Sequence, residues 1–222
     1  WHIKKIATEK NLSMTDLALN LSGKSNSVSA RHREVCQVMF PNHHFENVTN
    51  GIHHPSWISS PFKKLFHKHF PGWTLNPSLL ESAPKKLKNK DVLSAHKKNK
   101  KAYIKWLNSH PEFFCFHEDV QKEDLFDENT MTISFARRFV PYKRPELIFK
   151  DLDRLRKIGY KKLQLVFAGN CHPNDLYCNN TKAEIKHYAH RLRGQIKIAV
   201  LPSYRLDFAQ LMVAGSDLWL NN

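Results

Sequence analysis

The sequence predicts an α/β chain: half of a Rossmann-like, doubly wound parallel sheet, preceded by a mostly helical segment. Three observations predict it. From residue 130 onward, short apolar runs of strand length alternate with helical patterns. Those runs are apolar enough to be covered on both faces, as parallel strands are. Before residue 130 the apolar residues recur mostly at helical spacing, with turns between.

The chain divides into three segments, at residues 1–59, 60–129 and 130–222. In the first, MTDLALNL reads as a helix and SGKSN as a polar turn. SVSARHREVCQVMF then places Val28, Val35, Val38 and Met39 on one helical face, and Pro41 ends it. FENVTNGIHHPSW reads as a short strand followed by an Asn50-Gly51 turn.

The second segment is helical and lysine-rich. PFKKLFHKHF forms a short helix stopped by Pro71-Gly72. Residues 91–108 form a longer amphipathic helix, with Val92, Leu93, Tyr103, Ile104 and Leu107 as core positions. Nine lysines between Lys85 and Lys105 face one acid, Asp91, and read as a solvated helix face. No aromatic platform alternates with them as single-strand binding requires, so no nucleic-acid partner is expected.

In the third segment TMTISFA is a strand and PELIFKDLDRLRKIG a helix closed by Gly159. KLQLVFAG is a strand, TKAEIKHYAHRLRG a helix closed by Gly194, and QIKIAVLP a strand. RLDFAQLMVAG is a helix and SDLWLNN a last strand. Four strands make about half of a nucleotide-binding-type domain.

The formal charge of +15 favours anionic partners. No apolar run approaches the roughly 20 residues that span a bilayer, and no membrane partner is expected. The histidines are scattered in pairs and form no H-E-x-x-H, so no metal site is expected. Cys36, Cys115, Cys171 and Cys178 match no zinc spacing and read as reduced thiols of a cytoplasmic protein. Without an initial Met or a low-complexity tail, the chain reads as cut from something longer.

The functional signal is FARRFVPYKRPELIF. Arg137, Arg138, Lys143 and Arg144 gather where the first strand of the sheet hands over to the expected helix. Cations at a helix N-terminus oppose its partial positive charge, so their placement points to an anion that uses them, most simply phosphate. Neither G-x-x-x-x-G-K-[ST] nor G-x-G-x-x-G occurs, which excludes a P-loop and a dinucleotide fingerprint. Side chains rather than a glycine loop would grasp the phosphate, as in a phosphate-using transferase.

Phe135 to Arg144, F-A-R-R-F-x-x-Y-K-R, resembles the central motif of the α-glucan phosphorylases, which act on glycogen, starch and maltodextrin. Met14 to Leu19, then Ser22 and Asn26, resemble that family's M-T-x-L-A-L…S…N stretch. Val48 to His53 with Trp57 look like its I-T-N-G-V-H-x-x-T-W. Phe167-Ala168-Gly169 with His172-Pro173-Asn174-Asp175, and finally DLWLNN, resemble two further motifs in the family's order. Ser27 stands where the family usually has glycine, and Asn170 where it has lysine.

The resemblance implies a partial glycosyltransferase-B architecture and pyridoxal phosphate as cofactor. It implies phosphorolysis of a terminal α-1,4-linked glucose by inorganic phosphate, giving α-glucose 1-phosphate with retention. Such a reaction passes protons between phosphates and needs no carboxylate pair. Carried over residue by residue, Arg138 grips the substrate phosphate and Lys143 lies between the two phosphates. Arg137 stands beside the cofactor phosphate and Tyr142 lines the pocket. Asn26 bonds glucose hydroxyls, with helix capping as its structural alternative. Tyr204 and Arg205 pack near the cofactor phosphate, while His32 and His53 read as structural. The family's cofactor lysine comes after W-L-N-N in a stretch resembling E-A-S-G-T-S-G-M-K, so no lysine of this chain is assigned to it and the chain alone is expected to be inactive. The rivals are a nucleotide-sugar glycosyltransferase of the same fold and a non-catalytic glucan- or polyanion-binding module.

Overall fold

The computed structural model describes residues 12–116, 118–172, 174–202 and 205–221. Two compact units divide the chain, one ending at His53 and the other beginning at His54.

In the first unit, helix α1 (Met14–Leu21) starts where the Ser13 side chain accepts a hydrogen bond from the Asp16 N–H at 3.2 Å. Strand β1 (Ser25–Ser27), helix α2 (Ala30–Met39) and strand β2 (Phe45–Asn47) form a small parallel crossover, with Ser25 opposite Phe45. The polar stretch expected to be a turn thus supplies a strand. Ser27 is fully buried, and its hydroxyl donates to the Glu46 carbonyl at 3.1 Å, which ties β1 to β2. The expected apolar face of α2 is not buried: Val38 is 82% exposed and Met39 64%. Only Cys36 of this helix is buried; among the described residues of the unit the helix packs mainly against the short β1–β2 pair.

The second unit is a three-layer sandwich. Helices α3 (His54–Trp57) and α4 (Ser60–His69) lead into a turn with Gly72 at φ 85°, a left-handed conformation that glycine takes without Cβ strain. After the short α5 (Ala83–Lys86), helix α6 (Asn89–Asn108) runs for 20 residues. Its buried stripe is Ala95, Asn99, Lys100, Tyr103, Ile104 and Leu107. Leu93, expected in the core, is exposed, because burial begins only with Ala95.

Strands β3 (Met131–Ala136), β4 (Leu163–Ala168), β5 (Lys197–Leu201) and β6 (Leu218–Trp219) form one all-parallel sheet in the order β5-β4-β3-β6. Helices α7 (Leu152–Gly159) and α8 (Leu176–Arg191) cover one face, over Phe135, Leu165, Phe167, Ile198 and Val200. Helices α6 and α9 (Leu206–Gly215) cover the other, over Ala136, Val166, Ala168, Ala199 and Leu201. Alternate residues of each strand thus serve opposite layers, as the pleat requires. The chain winds outward from β3 to β5, then returns through α9 to lay β6 on the other edge of β3. This is the expected doubly wound half-sheet.

One expected element divides. The run PELIFKDLDRLRKIG is a 3-10 turn at Pro145–Phe149 followed by α7, whose N-cap Asp151 accepts from the Arg154 N–H at 2.9 Å. A second 3-10 turn, Pro141–Lys143, precedes it. Prolines 141 and 145 each open a new short turn, and Arg144 between them is left-handed at φ 43°. No helix among the described residues is long and apolar enough to cross a membrane.

An ion pair between buried Lys100 and the more exposed Asp217 fastens α6 to the sheet. Asp217 accepts from Lys100 Nζ and, at 2.7 Å, from the Thr132 N–H, and His96 Nε2 lies 2.8 Å from its other oxygen. Lys100 also donates to the Thr130 carbonyl at 2.8 Å. Burial raises the Asp217 pKa, but the bonds from Lys100, His96 and Thr132 outweigh it, and the net shift is down from the ordinary 3.8. The lowered folded-state pKa means the carboxylate stabilises the fold above that ordinary value, and the contribution is lost as pH falls through the lowered one. Asp217→Asn leaves the Lys100 ammonium buried without its counter-charge. We expect it to cost about 2 kcal/mol at pH 7 in urea unfolding, with the deficit beginning to shrink toward pH 3, where the unfolded carboxyl takes up its proton, and vanishing as pH falls through the lowered native pKa. An equal deficit at both pH values refutes the charge assignment.

Candidate functional site

Open parallel sheets bind ligands beyond the carboxyl ends of their strands, where the winding reverses. Here that point lies between β3 and β6, and the segment leaving β3 there is Arg137 to Arg144. The cluster stands on a loop with two 3-10 turns and not on the expected helix N-terminus. Its position at the reversal of the sheet is what marks it.

The loop is built onto the end of β4. The Arg137 N–H donates to the Ala168 carbonyl at 3.1 Å, extending the β3–β4 ladder by one rung. Phe139 is fully buried against Phe135, ring centroids 5.8 Å apart, so the chain turns inward directly after Arg138. Gly169 makes this possible. A Cβ there would stand 2.6 Å from the Arg137 carbonyl oxygen and 2.6 Å from the Phe139 ring. Further along, Tyr177 at the start of α8 donates to Glu146 at 3.2 Å, which pins the 3-10 turn at Pro145–Phe149.

Arg138 is exposed, and Arg137 and Lys143 are half-buried. Lys143 Nζ lies 5.5 Å over the Tyr142 ring, which is itself 69% exposed. Arg205, at the N-cap of α9, is engaged locally: it donates to Asp207 at 3.2 Å and stacks over Phe208 at 5.3 Å. Tyr204 lies outside the described residues. Asn26 belongs to the first unit, exposed on β1. It does not cap α2, because the Ser29 side chain does so, accepting from the His32 N–H at 3.1 Å. His32 accepts from the Val28 N–H at 3.3 Å and meets Cys36 Sγ at 3.3 Å, a structural role.

Two features were not read from the sequence. Cys171 and Cys178 form a disulfide, their Cα atoms 5.5 Å apart, which corrects the expectation of four thiols. Asp175 caps α8, so Cys178 falls in the first turn, back toward the loop that carries Cys171. Cys36 and Cys115 are free, and burial pushes the Cys115 thiol up to about 11. The other feature is Lys182, whose Nζ donates to the Pro202 carbonyl at 3.0 Å and lies 5.9 Å from the centroid of the Phe139 ring. No spacing rule links a mid-helix lysine to a motif about 40 residues upstream, so only the packing of α8 reveals it.

With this geometry in place, comparison with known proteins decides the relationship. The chain is 32% identical over 231 residues to a glycogen phosphorylase of Aquifex aeolicus, across 94% of its own length. It is 30% identical over 230 residues to a maltodextrin phosphorylase of Thermococcus litoralis. A glycogen phosphorylase of Mycobacterium tuberculosis shares 28% over 240 residues. The chain is a relative of the α-glucan phosphorylases. It spans between a quarter and a third of the length of these curated relatives, 33% of the first and 27% and 26% of the other two. No family model matches. The motif resemblance and the whole-chain comparison therefore agree on the phosphorylases, and the β3 loop with its FARRF motif lies at the sheet reversal of a phosphorylase-related α/β unit.

Two outcomes are expected. Gly169→Ala forces the β3 loop off the end of β4, and thermal or urea unfolding will show a loss of about 2 kcal/mol. Thiol titration of the unfolded, unreduced chain will find two reactive cysteines of the four, and four after reduction.

Proposed function

We propose that the second unit holds a phosphate-binding part of an α-glucan phosphorylase, acting in the phosphorolysis of terminal α-1,4-linked glucose to α-glucose 1-phosphate. The observation that carries this reading is the FARRF loop at the reversal of a doubly wound sheet, in a chain whose relatives are named glycogen and maltodextrin phosphorylases. In this reading Arg138, exposed at the turn, grips the substrate phosphate with its forked donors. Lys143 sits between the substrate and cofactor phosphates as a compact charge, and Arg137 stands on the cofactor's side. Tyr142 lines the pocket beside Lys143. Asn26, on the first unit, is taken by itself as a donor to a sugar hydroxyl.

Pyridoxal phosphate is the cofactor this reading implies, and what it supplies when bound is a phosphate group that exchanges protons with the substrate phosphate. The donor set of the β3 loop fits that phosphate: two arginines and a lysine within seven positions, on a loop held at the strand ends. Arg205 fits it only if it exchanges Asp207 for the phosphate. The cations hold two phosphates together against their mutual repulsion, which is where their contribution to the rate would lie.

Isothermal titration of the chain with inorganic phosphate tests the reading. One site is expected, weakened about tenfold in Arg138→Ala, the loss of a charge-assisted hydrogen bond. Unchanged affinity in that variant refutes the assignment.

A further inference from the structure

Resting on the phosphate reading, we propose that Lys182 is a further cation of the same anion site, reaching it from α8 and contacting a bound phosphate or phosphate monoester. The residue lies within α8, between two loops that leave the carboxyl end of the sheet. Its ammonium donates to the Pro202 carbonyl, just past β5, at 3.0 Å. The same ammonium stands 5.9 Å from the ring centroid of Phe139, the neighbour of Arg138. Lys182 thus spans the end of β4, from the β5 loop to the β3 loop that carries the arginines.

The ammonium has donors to spare. Lysine offers three N–H bonds, and the Pro202 carbonyl takes one. The face of Phe139 provides a cation–π contact but accepts no strong bond. Among the described residues no carboxylate neutralises it. Burial and the neighbouring charge of Lys186 instead push its pKa below the ordinary 10.5. A phosphate placed there supplies the missing counter-charge and takes the remaining donors.

The test compares Lys182→Met, which keeps the stem on Phe139, with Lys182→Arg, using Lys182→Gln if the Met variant does not fold. Each chain is titrated with inorganic phosphate and, separately, with pyridoxine 5′-phosphate, a cofactor analogue that forms no Schiff base. Thermal unfolding without ligand is recorded for each. The expected result is a roughly tenfold loss of affinity for at least one ligand in the Met variant, near-full retention in the Arg variant, and at most a small fall in the ligand-free Tm. Which ligand is affected tells whether Lys182 faces the substrate or the cofactor phosphate. A lowered Tm with both affinities unchanged overturns the proposal and leaves Lys182 a strut. If Arg138→Ala loses phosphate while Lys182→Met does not, this inference fails and the phosphate reading stands. If the unsubstituted chain binds neither ligand, both fail.

Discussion

Strand β3 is hydrogen-bonded on both edges, to β4 over six register pairs and to β6 over two. The rest of the second unit depends on that constraint. A strand paired on both sides has no free edge, so the next segment of chain must leave beyond its carboxyl end. The winding reverses across this same strand, with β4 and β5 to one side and β6 to the other. The FARRF loop is therefore delivered to the reversal by pairing alone. Gly169 then lets the loop lie flat on the end of β4, and buried Phe139 anchors it.

A chain with +15 formal charge must place its cations, and the structure sorts them by environment. Lys100 is drawn into the interior because Asp217 and the Thr130 carbonyl meet it there. Its pairing converts a lysine of the solvated-looking helix α6 into the fastener between that helix and the sheet. Arg193 likewise is taken up by Asp124 and Asp119 and lies 4.3 Å from the Phe116 ring centroid, strapping the segment before β3. The cations at the carboxyl ends of the strands differ: Arg138, Lys143 and Lys182 gather there without a carboxylate partner among the described residues. Excess charge of one sign at the reversal of the sheet is what a phosphate-binding edge requires.

Much of the fold was legible in the sequence because its signals are local. The four strands, α6, α9 and the body of α8 follow from apolar period and from turn residues such as Gly194, at positive φ, whereas the first turn of α8, capped by Asp175, was not read. The arginines and Lys143 were legible as a motif. The helix expected after them was not, because its apolar spacing resembles a helix while Pro141 and Pro145 cut it into 3-10 turns. The small β1 strand was missed for a similar reason, since Ser25, Asn26 and Ser27 carry no apolar signal and are held by pairing with β2.

By itself, then, the sequence determined the kind and order of the elements, the basic loop after the first strand of the sheet, and the phosphorylase relationship. Only the tertiary structure decided which edge β6 joins, which lysine is buried, and which lysine lies beside Phe139. The reason is distance along the chain. Lys100 meets Asp217 across 117 residues, and Lys182 meets the Pro202 carbonyl across 20. Periodicity reports a residue's own element, whereas burial and charge pairing depend on partners that the winding of the sheet brings in from elsewhere.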